Sequence, residues 1–387
     1  MMKRKVIIIQ NYLSPYRVPL FATIAASESI DLTLALMAPN KPSYPMWKYD
    51  LSRLPFRTKL VPGTRLVLPS QDKAQICFNP YLLKFLWDEK PEVVFCGGFN
   101  TSSVIAALFR LLTGTPIVIW SEGTSITENK IGFSFIRKPI RKFVAAVASG
   151  FVVAGQLSRD YILSLLPDKC KKPILISYNC VDSNALSLAC QRFKEDVAAW
   201  TRFRSVFPEK NILYSGRLIE RKGIRPMLEV YKRVNKRSPN EVGLILLGQG
   251  MLKEFIQDYK SKNKLKHLFI EGFIGPDQYP KYFASADVFL LLSLSDCNPL
   301  VIFEALSCGL PIICSYRVGN VLDFVKEGQN GYIVDPYDID GIVEKILSVL
   351  YSPKIEDMKM ASREIVRKAN YSDSVAAFVT ISSMVVS

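Results

Sequence analysis

The chain has 387 residues, too many for one ordinary core at about 150 residues per domain, so two domains or one long one are expected. Hydrophobic residues make up 49% and charged residues 22%, a globular balance that excludes a disordered or fibrous chain. The formal net charge is +15, and residues 1–180 hold 23 basic against 11 acidic side chains, so an anionic partner is sought in the first half.

Read from the N-terminus, three basic residues, Lys3 to Lys5, precede only four apolar ones, Val6 to Ile9, before Gln10 and Asn11. That run is too short for a signal-peptide core. The longest near-apolar stretch, 143–155, has 13 residues and falls short of the roughly 20 that a spanning helix needs. The expected location is cytoplasmic, with peripheral contact at the inner face of a membrane as a further expectation.

Short β-branched runs then alternate with amphipathic segments. The strand candidates of the first half are 6–9, 32–36, 93–96, 117–120, 151–153 and 174–177, with helical patterns over 101–112, 135–148 and 156–166. A break falls at 179–182, a more polar stretch covers 191–210, and the alternation restarts at 211 with runs at 212–214, 243–247, 268–270, 288–292 and 311–314. Continuous apolar strands separated by helices indicate parallel sheets covered on both faces. The fold class read from this is α/β: two facing, Rossmann-like, doubly wound domains, 1–180 and 181–371, with a cleft between them and a C-terminal helix over 372–387 packing back on the first. Residues 39–75, with Pro39, Pro42, Tyr44, Pro45 and Trp47, fit the pattern poorly and read as a long loop with extra strands.

The eight cysteines form no Cys-x-x-Cys pair, and His267 is the only histidine, so no zinc site and no metal are expected. Nor is there a signature of nucleic-acid binding beyond the positive charge.

Chemistry concentrates in the second half. At 212–223 a strand ends at Ser215, Gly216 opens a loop, and Arg217, Arg221 and Lys222 cluster before a helix beginning near Ile224. Glycine lets backbone approach an anion while arginine and lysine supply charge-assisted hydrogen bonds, which is what a diphosphate requires. A basic surface loop would look the same. Gly248 and Gly250 form a second, weaker glycine turn. In 293–315, Pro299 suits the first turn of a helix, Gly309 its C′ position, and Pro311 stops it, bracketing about ten helical residues. Glu304 is the only charged residue from Asn298 to Tyr316, and a carboxylate in so apolar a helix needs either protein donors or ligand hydroxyls. Asp296 sits just before the helix start, as an ordinary cap or beside an anion site made by the amides of Leu300 and Val301.

Together the Gly-Arg-x4-Lys loop at 216–222, the Asp296/Glu304 pair and Gly309-Leu-Pro-Ile-Ile313 resemble retaining glycosyltransferases of the GT-B fold, family 4, also called glycosyl transferases group 1. Tyr178-Asn-Cys-Val-Asp182 looks like that family's linker, and Ser14-Pro-Tyr-Arg17-Val-Pro19 is familiar in such enzymes. The resemblance implies a nucleotide-sugar donor, with UDP favoured over GDP, and a glycan or lipid-diphosphate-linked acceptor in polysaccharide biosynthesis. By the same resemblance Gly216, Arg217, Lys222, Leu300 and Val301 would hold the donor diphosphate. Glu304 would take the ribose, the backbone of Phe273 and Ile274 the base, and Asp296 and Asn298 the donor sugar; Arg17 would lie on the acceptor side. No cofactor is implied. Asp296 stands where the family has glutamate, and Asn298-Pro299 replaces Phe-Gly. The family's N-terminal histidine is absent, and Glu122, in Ser121-Glu-Gly-Thr124, is offered as its substitute, with an exposed loop glutamate as the plain alternative.

The segment 132–143 mixes Arg137, Lys138, Arg141 and Lys142 with apolar residues at helical spacing. It reads either as an anionic membrane contact or as an amphipathic helix covering its own sheet. A nucleotide-sugar epimerase of the same fold, or a family member that binds nucleotide without transferring sugar, would share most of these residues.

Overall fold

A computed structural model describes residues 3–39, 50–67, 75–129 and 134–386. The chain folds as two compact units, residues 1–180 with 369–387, and residues 181–368.

In the first unit, β1 (Arg4–Gln10), β2 (Ile30–Leu36) and β3 (Arg57–Leu60) are followed by an antiparallel pair, β4 (Thr64–Val67) and β5 (Gln75–Phe78). Then come β6 (Val93–Gly97), β7 (Ile117–Ser121), β8 (Gly150–Val153) and β9 (Ile174–Ile176). Seven of them make one parallel sheet in the order β3-β2-β1-β6-β7-β8-β9. Alternate side chains of β1 go to opposite cores: Ile7 and Ile9 to one, Val6 and Ile8 to the other, all buried. Burial on both faces is why the strands read as unbroken apolar runs. The helix Tyr371–Val386 completes one face of this sheet, with Phe378 fully buried against Phe95 and Trp120 at ring separations of 5.1 and 5.0 Å. Of the segment 39–75, residues 40–49 and 68–74 lie outside the described residues; the rest supplies a short 3-10 turn, Leu51–Arg53, with β3 and β4.

The second unit holds β10 (Lys210–Ser215), β11 (Val242–Leu247), β12 (Leu268–Gly272), β13 (Val288–Leu291), β14 (Ile312–Ser315) and β15 (Gly331–Val334). They pair in parallel in the order β12-β11-β10-β13-β14-β15. The polar stretch 191–210 turns out to be mostly helical. Asp182 and Asp196 cap helices Ser183–Glu195 and Val197–Arg204 by accepting from Ala185 N and Ala199 N. Phe193, Trp200, Phe203 and Phe207, spaced by seven, three and four, stack into one aromatic face that meets Tyr282 and Phe269. The surrounding charges hide that periodicity in the average composition.

Each sheet reverses its strand order once, at β1 in the first unit and at β10 in the second. In doubly wound sheets ligands bind beyond the carboxyl ends of the strands at such a reversal. Both reversals carry the polar clusters that follow.

Candidate functional site

In the second unit the loop after β10 and the approach to helix Val301–Ser307 after β13 come together. Lys222 ends a one-turn 3-10 helix, and Gly223 turns left-handed at φ +70°. A Cβ on Gly223 would stand 1.9 Å from the Leu292 carbonyl oxygen, so only glycine lets this turn lie on the end of β13. That close approach delivers the Lys222 ammonium to the Asp296 carboxylate, to which it donates a hydrogen bond. Arg221 reinforces the pair, its guanidinium 3.8 Å from Asp296 while donating to the Ser295 carbonyl at 2.6 Å. Arg217 lies half-buried on the same loop, and its carbonyl accepts from the Tyr214 hydroxyl at 2.8 Å. Burial pushes the Tyr214 hydroxyl well above its ordinary range, and the charges of Asp296, Arg221 and Arg217 all act on it. Two cations, Lys222 and Arg221, and one carboxylate therefore share one corner, with Arg217 on the same loop. The glycine turn at Gly248 serves packing: its added Cβ would lie 1.9 Å from the Gly216 carbonyl oxygen.

The expected ten-residue helix is shorter. It runs Val301–Ser307 with Leu300 at its N-cap, and Pro299 lies outside it. The reason is that 296–299 is committed elsewhere, Asp296 bridging to Val318 and the Pro299 carbonyl accepting from Asn320. Asp296 accordingly makes no helix cap; its carboxylate belongs to Lys222. Gly309 does take the left-handed position after the helix, at φ +77°. Asn298 is 8% exposed, and neither its Oδ1 nor its Nδ2 meets a protein partner.

Glu304 has a protein donor. Tyr279 donates its hydroxyl proton to Glu304, and the same hydroxyl lies 3.1 Å from Ser215 Oγ at the end of β10. Burial raises the Glu304 carboxyl above the usual carboxylate range, and the Tyr279 bond offsets part of that rise. Phe273 and Ile274 follow directly on β12, where Gly272 is left-handed, and Phe273 is 73% exposed.

In the first unit a pocket of about 200 Å³ is lined by residues at and just after the ends of β1, β6 and β7, among them Gln10, Tyr12, Tyr16, Gly98, Trp120 and Glu122. Arg17 belongs to it. Its guanidinium donates to Gln10 and to Glu122, and lies 4.2 Å from the Trp120 ring centroid. Asn179 Nδ2 donates to Glu122 at 3.0 Å. Glu122 is thus a half-buried, doubly bonded carboxylate and not an exposed loop residue. Burial pushes the neighbouring Tyr16 hydroxyl up to about 12.

Sequence reasoning missed Tyr279, Asn179, Gln10 and Trp120 as site neighbours, and it quoted Arg221 without giving it a role. Gln10 and Arg221 carried a signal, a polar residue closing an apolar strand and a cation beside Lys222. Tyr279 and Asn179 carried none, because only the tertiary fold brings them to their carboxylates.

Comparison with known proteins gives a consistent picture. Residues 201–368 match the family model described as Glycosyl transferases group 1. Sulfoquinovosyl transferase SQD2 of Arabidopsis thaliana is 25% identical over 308 residues, a match spanning 76% of this chain and 55% of that protein. The chain therefore covers about half the length of this relative. Among solved structures, Anabaena Alr3699/HepE in complex with UDP superposes with a TM-score of 0.70 at 15% identity, covering 99% of this chain and 100% of that one. The lipopolysaccharide outer core galactosyltransferase WaaB, apo form, gives 0.72 at 15% identity, covering 97% and 98%. The fold is GT-B, and residues 201–368 match the glycosyl transferases group 1 model.

Proposed function

We propose that the chain is a retaining, metal-independent glycosyltransferase that moves a sugar from a nucleotide-sugar, a UDP-sugar first among candidates, to a glycan or lipid-linked acceptor. One observation carries the reading. Lys222 and Arg221 hold Asp296 at the strand-order reversal of the second sheet, with Arg217 on the same loop, inside the stretch that matches group 1 glycosyl transferases. The UDP in the Anabaena complex of the same fold supports a uridine donor.

In this reading the bond between the anomeric carbon and the diphosphate oxygen breaks, and its electron pair leaves with the diphosphate. An acceptor hydroxyl oxygen bonds to the anomeric carbon and its proton passes to the departing phosphate. Negative charge builds on the diphosphate, so fixed cations there make the largest contribution to rate. Arg217 and Lys222 supply it, helped by the amides of Leu300 and Val301, with Gly216 allowing close approach. Lys222 exchanges Asp296 for phosphate as the donor enters, which frees Asp296 to take sugar hydroxyls beside the unpartnered amide of Asn298. Glu304 takes the ribose hydroxyls and the backbone at Phe273 and Ile274 the base.

The lipid side of the reading rests on helix Ser134–Val147. It exposes Phe135, Ile136, Ile140 and Phe143 together with Lys138 and Lys142, while Val144 and Ala145 are buried and Arg141 is held by Glu128 and Tyr161. An apolar face set among lysines matches an anionic bilayer surface. Residues 132 and 133 of the expected segment lie outside the described residues. Among the described residues no helix is long and apolar enough to cross a membrane.

The deciding experiment is a thermal-shift panel of UDP-, GDP-, ADP- and dTDP-sugars on the wild type, Arg217→Ala and Glu304→Ala, followed by transfer assays with and without EDTA. A true donor at 100 times its Kd should stabilise the wild type by about 2.7 kcal/mol and leave both variants unshifted. Isomerisation or hydrolysis of the donor with no acceptor present would move the assignment to an epimerase, and binding without any turnover to a nucleotide-binding protein.

A further inference from the structure

The N-terminal pocket holds an arrangement that the family resemblance does not account for. Gln10 closes β1, Gly97 closes β6 and Trp120 lies next to last in β7, so three neighbouring strands of the first sheet deliver side chains or backbone to one spot. Trp120 is fixed from behind by Phe21 and Phe378, at 6.1 and 5.0 Å. Arg17 lies over the indole, and a Cβ on Gly97 would come within 2.6 Å of the Gln10 amide, so the packing also limits Gln10. On that base, both donors to Glu122 use the same oxygen: Arg17 Nη2 and Asn179 Nδ2 each donate to Oε1, and Oε2 accepts from neither.

We propose that Arg17 is a positioning residue: held over Trp120, it orients Glu122 so that Oε1 is engaged by the protein and Oε2 is offered to a hydroxyl of a sugar bound in this pocket. The inference rests on the transferase reading for its substrate class. Three further features fit a neutral, hydroxyl-rich ligand. The charges of Arg17 and Glu122 cancel, so the pocket calls for no ion. Gln10 Nε2 and Trp120 Nε1 are buried donors with no protein partner, on residues 5% and 3% exposed. A sugar hydroxyl both donates and accepts, and so matches a carboxylate oxygen beside idle N–H groups. A purely structural residue sandwiched here could be apolar, since replacing a buried ion pair by packed hydrophobic groups is often neutral or stabilising.

The test compares Arg17→Gln, Arg17→Lys, Glu122→Gln and the Arg17→Gln/Glu122→Gln pair in transfer assays, with donor binding followed by thermal shift. Arg17→Gln should lower kcat about 100-fold, the scale expected when a reacting group is misplaced by about 1 Å, while the donor-induced shift stays as in the wild type. Lysine should restore part of the loss, because a single ammonium replaces the charge but not the two-pronged geometry. The double variant should be no worse than Glu122→Gln alone. Additive losses, or full kcat in Arg17→Gln, would overturn the proposal. Crystal structures of Arg17→Gln and the wild type provide a readout independent of turnover: Glu122 should swing from its observed position, and an unmoved carboxylate refutes the assignment. A wild type that transfers no sugar sinks the transferase reading, whereas the Glu122 position still decides the positioning role.

Discussion

Lys222 and Asp296, 74 residues apart in the chain, form an ion pair whose side chains are only 11% and 13% exposed. Such a pair gains little over a packed apolar one, but removing one partner strands a buried charge. Lys222→Met should therefore cost about 3–5 kcal/mol in urea unfolding. Lys222→Met/Asp296→Leu should cost less than the sum of the two single changes, and strict additivity would show that the two do not couple. If diphosphate displaces Asp296 from Lys222, Asp296→Asn should bind UDP at least as tightly as the wild type by calorimetry, yet transfer sugar poorly.

Glu304 should leave a pH signature. Burial raises its carboxyl above the ordinary 4.5, so the folded chain holds this proton more tightly than the unfolded one. Unfolding then releases the proton between those two values, and stability declines as pH rises through that window. Below the unfolded value the group contributes nothing; above the folded value its cost is complete. Glu304→Gln removes the titration. The stability difference between Gln and wild type, from denaturant melts at stepped pH, should shift in favour of Gln as pH rises from about 4 to 7. A difference independent of pH would contradict the burial.

Gly223 admits no side chain. Gly223→Ala combines the left-handed penalty of about 1–2 kcal/mol with a collision against the Leu292 carbonyl. The melting temperature should drop, and UDP affinity should fall as well, because the same turn delivers Lys222. An unchanged melting temperature would show that the loop relaxes freely.

The face of helix Ser134–Val147 predicts vesicle binding that depends on anionic lipid and weakens with salt. Replacing Lys138 and Lys142 by Glu should abolish co-sedimentation, since each lysine near the surface contributes on the order of 1 kcal/mol. Equal binding to neutral vesicles at high salt would remove the bilayer from the reading.

Much of the fold was open to inspection in the sequence because its signals are local. The run Val6–Ile9 reads as a strand buried on both faces, which it is. Phe193 and Trp200 belong to two consecutive helices, Ser183–Glu195 and Val197–Arg204, that the polar composition around them concealed. The short helix before Gly309 began later than Pro299 suggested because strand-like pairing with Val318 claimed the preceding residues.

Residue types and their spacing along the chain were enough to nominate Arg217, Lys222, Asp296 and Glu304, since a cation cluster after a strand and an isolated carboxylate in an apolar helix stand out without coordinates. Glu122 was nominated only through the family resemblance, in place of an absent histidine. Which partner each one meets was settled only by tertiary structure. Lys222 reaches Asp296 through a backbone approach that Gly223 permits, Glu304 reaches Tyr279, and Arg17 and Asn179 share one oxygen of Glu122. The physical reason is that chemical character belongs to the residue, whereas a hydrogen bond needs two groups within about 3 Å, and sheet order, not sequence distance, sets that separation.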